Sequence, residues 1–172
     1  MLLEFIAIVA AGFALAGIAL TLNLVVGKRL PGWIFPASAG VGMLAMAIWL
    51  EYSWLDRVTD GFPQEVEVVS TNRQRVWYRP WTFVVPQVNR LIAVDHRFER
   101  RNPALPDQVL TSVLLAGRWE PSRQFGVVVD CAGQRRADLV DQVVFGEDGA
   151  LERARWLPLA ADDPLLRAVC RG

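Results

Sequence analysis

The chain has 172 residues, with 18 basic and 18 acidic side chains, one histidine and two cysteines. A formal net charge of zero excludes a nucleic-acid surface built from bulk positive charge, and the mean hydropathy of +0.27 is high for a soluble domain of this length. Most of the apolar excess lies before residue 51, which points to a membrane.

From Phe5 to Val26 only Thr21 and Asn23 are clearly polar, and Trp33 to Leu50 carries no charge. Helices over about 5–26 and 33–50 would reach about 33 and 27 Å, which matches a hydrocarbon layer of roughly 30 Å. Neither run has the polar face that a core helix of a soluble bundle shows. Only the α-amino group precedes the first run and Glu4 offsets it, so we expect a retained helix rather than a cleaved signal peptide. Between the runs, Gly27-Lys28-Arg29-Leu30-Pro31-Gly32 reads as a tight turn, which predicts a transmembrane helical hairpin within a domain of residues 1–54.

Lys28 and Arg29 in that turn, against Glu51, Asp56, Arg57 and Asp60 after the second run, put the turn on the cytoplasmic side. The expected location is therefore a bacterial inner membrane, crossed twice, with both termini and the soluble domain in the periplasm. Trp33 opens the second run and Trp49, Tyr52 and Trp54 close it, the spacing of aromatics at the two headgroup levels. Gly12 with Ala16, and Ser38 with Gly42, form small-x-x-x-small pairs that let helices approach closely, either within the hairpin, with a second copy or with another protein. Asn23 needs a hydrogen-bond partner. No ionisable residue lies in either apolar core, which argues against an ion or proton path.

Residues 55–172 read as one soluble, mainly β domain. Gln64 to Ser70 alternates as a half-buried strand. Trp77 to Val85 is aromatic and β-branched but cut by Pro80 and Pro86, which suggests an edge strand or an irregular crossing. Leu91–Asp95, Val109–Leu115, Phe125–Asp130 and Val143–Phe145 are further strand candidates, the last ended by Gly146-Glu147-Asp148-Gly149. Gln87 to Pro106, with Arg97, Arg100 and Arg101, reads as a surface loop whose arginines pair with Asp95 and Glu99 or meet anionic headgroups. Asp163-Pro164 opens a short helix through Val169, capped by Asp162 or Asp163. The expected fold is α+β: the hairpin, a small antiparallel sheet and a short C-terminal helix.

Cys131 ends a strand and Cys170 closes the terminal helix. A bridge between them would pin that helix to the sheet, and two reduced, buried thiols would fit the sequence as well. The single His96 follows Asp95 in a strand, where neighbours point to opposite faces, so the two do not form an acid–base dyad. Asp138, Asp141, Glu147 and Asp148 lack the spacing of a calcium loop. No zinc, phosphate-loop or nucleophile-elbow pattern is present, so neither an enzymatic activity nor a cofactor is expected. Trp77-Tyr78-Arg79-Pro80-Trp81 reads as core, as a contact with a partner or the membrane surface through Trp77, Tyr78 and Trp81, or as a ligand platform.

The run from Val129 to Arg136 (Val129-Asp130-Cys131-Ala132-Gly133-Gln134-Arg135-Arg136), the segment Val143 to Gly149 and the closing Leu165-Leu166-Arg167-Ala168-Val169-Cys170 resemble the C-terminal half of exported domains typified by surface-adhesin protein E. The resemblance implies a small antiparallel sheet with a helix, an oxidising compartment, and a disulfide joining Cys131 to Cys170. The resulting expectation is a non-enzymatic accessory or scaffold protein. It would present a periplasmic interaction domain beside a membrane protein partner or a second copy, with lipid around its helices and no nucleic acid bound. The alternative is an envelope ligand-binding or adhesion module, which requires a concave or exposed apolar patch on the sheet.

Overall fold

The computed structural model of the chain describes residues 2–139, 143–146 and 149–171, and these divide between Arg57 and Val58 into two units. The first unit is built on α1 (Leu2–Val25) and α2 (Ile34–Thr59). At 24 and 26 residues they extend about 36 and 39 Å, and both are long and apolar enough to cross a membrane. Large apolar side chains such as Phe13, Leu24, Trp33 and Trp49 are exposed, as lipid-facing groups would be. Beyond Leu50, Glu51, Ser53, Asp56 and Arg57 continue α2 as a polar helix.

Local chemistry explains the turn between these helices. Gly27 and Lys28 adopt left-handed φ values of 74° and 58°. Their N–H groups donate to Leu24 O (3.2 Å) and Asn23 O (2.7 Å), satisfying carbonyls that the end of α1 would otherwise leave open. The Asn23 side chain finds its partner there as well, Oδ1 accepting the Leu30 N–H at 2.9 Å. The helices then run antiparallel, bringing Arg57 Nη2 within 3.6 Å of Glu4 Oε1. A Cβ on Gly12 would lie 2.7 Å from the Met43 side chain, and one on Gly42 would lie 2.7 Å from Ala11 O. Both glycines therefore stand where the two helices touch. Ser38 donates to Phe35 O within its own helix, and Ala16 is half-buried.

The second unit is a curled, six-stranded antiparallel sheet in the order β1-β2-β3-β4-β5-β6. The strands are β1 (Val66–Gln74), β2 (Gln87–Asn102), β3 (Leu105–Gly117), β4 (Arg123–Asp130), β5 (Arg135–Asp138) and β6 (Trp156–Pro158). A single-turn helix, α3 (Trp81–Val84), joins β1 to β2, and α4 (Pro164–Val169) closes the fold. Register pairs Val94 with Val113 and Val113 with Phe125, and pairs Val109 with Val129. Because facing residues share a side of the sheet, Ile92, Val94, Val109, Val113, Leu115, Phe125, Val127 and Val129 line one face. α4 lays Leu165, Leu166 and Val169 on part of it. Six residues are too few for a helix to persist alone. It is held by Asp163, whose Oδ1 accepts the Leu165 N–H (2.8 Å), by Pro164 in the first turn, and by apolar burial.

Several readings of the sequence resolve or change here. Of the edge strand or irregular crossing expected over Trp77–Val85, the second is found, with Trp81–Val84 a helical turn: Pro80 enters in the right-handed helical region, and the buried Thr82 hydroxyl accepts the Val76 N–H (3.0 Å) and reaches Arg79 O (2.8 Å). Gln87 to Pro106 is not a loop but the whole of β2, its turn and the start of β3. The arginines there sit on a strand, where a polar hairpin wet on both faces imitates the composition of a loop. Arg97 pairs with Asp95 and Arg101 with Glu99, as that reading required. Val143–Phe145 is no strand, and only an isolated bridge joins Phe145 to Leu151. Glu147 and Asp148 of the expected turn lie outside the described residues, as does Asp141. β5 and β6, four and three residues long, had no sequence signal.

Candidate functional site

Two features of the sheet unit stand out, an open groove and an exposed aromatic end. The groove exists because α4 covers only half of the concave face. Along β3, Val113 is buried in the cluster that α4 joins, and Leu115 is 36% exposed. The uncovered half forms a groove of about 590 Å³. Its floor is Ile92, Val113, Leu115 and Phe125, and Arg90, Arg123 and Arg136 line its walls. Arg90 is ion-paired with Glu120. Arg136 Nε stands 3.3 Å from Asp138 Oδ1 without hydrogen-bonding geometry, and both atoms are buried without a hydrogen-bond partner. No ion pair involves Arg123 among the described residues.

The aromatic end lies beside the groove, where β1 and β3 finish and β2 and β4 begin. Thr82 anchors the segment between β1 and β2 from within, which turns Trp77, Tyr78, Phe83, Val84 and Val85 outward. Trp77 is 85% exposed, while Trp81 is half-buried. Trp119, in the β3–β4 connection, is 53% exposed and lines a shallow depression together with Tyr78. The Arg79 guanidinium stands 5.6 Å from the Tyr78 ring centre and that of Arg118 stands 4.7 Å from the Trp119 ring centre. Trp77 and Tyr78 are thus surface groups and not core, and Trp119 joins them across the sheet. Sequence reasoning missed Trp119 because only pairing of β2 with β3 brings residues 78 and 119 together.

Cys131 and Cys170 are joined in a disulfide across a Cα–Cα distance of 5.8 Å. The turn after β4 aims Cys131: Asp130 Oδ1 accepts the Gly133 N–H (2.9 Å) and its Oδ2 accepts Arg135 Nε (2.7 Å). A Cβ on Gly133 would fall 2.6 Å from Asp130 Oδ2 and 2.9 Å from Arg135 Nε, so a side chain there would displace this ion pair. Burial raises the Asp130 pKa, but the Gly133 N–H and Arg135 outweigh it and hold the carboxyl below its ordinary value. Asp95 is likewise held low, chiefly by the side chain of Arg97. Arg101 Nη2 donates to Val169 O (3.3 Å), a second tie on the end of α4.

The imidazole of His96 lies between two carboxylates, Nδ1 at 3.1 Å from Glu99 Oε2 and Nε2 at 3.5 Å from Glu67 Oε2, and faces away from Asp95. Among the described residues no group of three His, Cys, Asp or Glu side chains is placed to hold a metal ion. Lys28 and Arg29 stand in the turn between α1 and α2. No family model, curated protein or solved structure matches the chain.

Proposed function

We propose that the chain is a non-enzymatic accessory or scaffold protein of a bacterial inner membrane, anchored by α1 and α2, whose sheet unit stands in the periplasm and engages a membrane protein partner. The observation that carries the reading is the exposed aromatic end. Trp77, Tyr78 and Trp119, backed by arginines, have the composition of an interface hot spot and are costly to leave in water. Support for the compartment comes from three directions: Lys28 and Arg29 in the inter-helix turn, a disulfide of the kind that persists in oxidising surroundings, and the likeness to exported surface-adhesin protein E-like domains.

The test is a photoreactive residue in the full chain in intact cells. A p-benzoyl-phenylalanine at position 77 is expected to join one discrete membrane protein, and the same group at the exposed Asp162 is expected to join none. Absence of a discrete protein adduct at position 77 overturns the reading. Orientation is checked with a membrane-impermeant maleimide: the thiols of Cys131 and Cys170 should react from outside the inner membrane, and only after reduction.

A second reading, an envelope ligand-binding module, is favoured by the open groove, which supplies the concave apolar patch that such a module needs.

A further inference from the structure

We propose that the uncovered half of the concave face binds one anionic lipid of the membrane that anchors the chain, an acyl chain lying on the groove floor and its phosphate or carboxylate meeting the wall arginines. Ligand pockets for molecules of this size are typically about 300–1,000 Å³, apolar, with few polar groups. A groove of about 590 Å³ is in that size range, with an apolar floor of Ile92, Leu115 and Phe125 and walls that carry Ser70, Asn72 and charged side chains.

The charge pattern chooses the head group. The unit from Val58 onward carries fifteen basic and fifteen acidic side chains, so it has no overall attraction for anions. Three arginines nevertheless line the groove against one carboxylate, Glu120, which Arg90 already engages. Among the described residues Arg123 has no ion pair, while Arg136 stands 3.3 Å from Asp138 Oδ1 with its Nε free of any hydrogen bond. A phosphate or carboxylate at this wall would meet guanidinium groups suited to bidentate binding. The anchor selects the source: α1 and α2 are long and apolar enough to place the unit beside a bilayer, where lipids are at high effective concentration. Nothing in this depends on a protein partner at Trp77, which the crosslinker at that position reports separately.

The test again uses the full chain in intact cells, now with Leu115→p-benzoyl-phenylalanine. The peptide bearing position 115 is expected to carry a lipid adduct enriched in anionic over zwitterionic lipids, at a yield well above that from Asp162. Arg123→Glu in the same chain should lower that yield several-fold while the Cys131–Cys170 bridge and protease resistance stay intact. Protein adducts at position 115, equal lipid yields at positions 115 and 162, or a yield indifferent to Arg123→Glu would each overturn the proposal, as would no adduct at all.

Discussion

One face of the sheet has two halves that differ in what lies on them. Over Val94, Val109, Val127 and Val129, α4 seats Leu165, Leu166 and Val169, and almost no apolar surface remains accessible. Ile92 and Phe125, at the edge of that cluster, are only partly buried, Leu115 is 36% exposed, and arginines stand around the gap. The strands run continuously through both halves, so the difference lies in the cover and not in the sheet. A cover of six residues, fixed at its far end by a disulfide, closes part of the face and leaves the remainder open.

Removing the cover's fixed point is the strongest way to break this contrast. The bridge closes a loop with a sequence separation of 39, for which the loop-entropy estimate is about 4 kcal/mol. Cys170→Ser should lower the unfolding midpoint of the sheet unit, followed by thermal unfolding of the full chain in mild detergent, and reductant should do the same to the wild type. A loss below about 1 kcal/mol would mean that burial alone seats α4.

A like-for-like pair of leucines sharpens the contrast. Leu165, 4% exposed, faces the covered half and Leu115 the open one. Leu165→Ala should cost about 3 kcal/mol as a cavity in a packed core. Leu115→Ala should cost about 1 kcal/mol or less, since that side chain has little packing to lose. Equal losses would mean that the groove is closed in solution.

The helical pair repeats the opposition between a filled contact and open space. A Cβ on Gly42 meets Ala11 O at 2.7 Å and Leu15 Cβ at 3.0 Å, whereas one on Gly17 meets nothing within 4 Å. Gly42→Ala must push α1 and α2 apart against backbone, at about 1–3 kcal/mol for an overpacked site, and Gly17→Ala should be silent. Cysteines placed on facing positions of α1 and α2 would report the separation as lost crosslinking.

Much of this could be read from residue order alone, and the reasons are local. Uncharged runs revealed α1 and α2, alternation revealed β1, and Asp163-Pro164 revealed α4 with its cap. What escaped depends on pairing between distant residues. β2 beyond Asp95 looked like a loop because both its faces are wet and its arginines find carboxylates two residues away. The strand alternation of Val113, Leu115 and Phe125 is the same with or without a cover, so the groove becomes visible only when the reach of α4 is known. The outward set of Trp77 was hidden because the pattern around Pro80 does not reveal that Thr82, rather than an aromatic, is the buried residue.

The smallest expected effect concerns the turn that aims Cys131. Because the Asp130 carboxyl is held below its ordinary value of 3.8, the unfolded state binds a proton there more readily than the folded state does. Its contribution is therefore fully present above that value and is lost as pH falls through the lowered one. Asp95 acts in the same direction through Arg97, so both carboxyls feed the acid limb of the stability profile. Asp130→Asn should remove one of them, flattening the limb without abolishing it while lowering stability at neutral pH. Since the disulfide holds the same turn, the acid limb should be steeper after reduction than before. A profile that Asp130→Asn leaves unchanged in both redox states would detach the turn from the cover, leaving the bridge and apolar burial to seat α4.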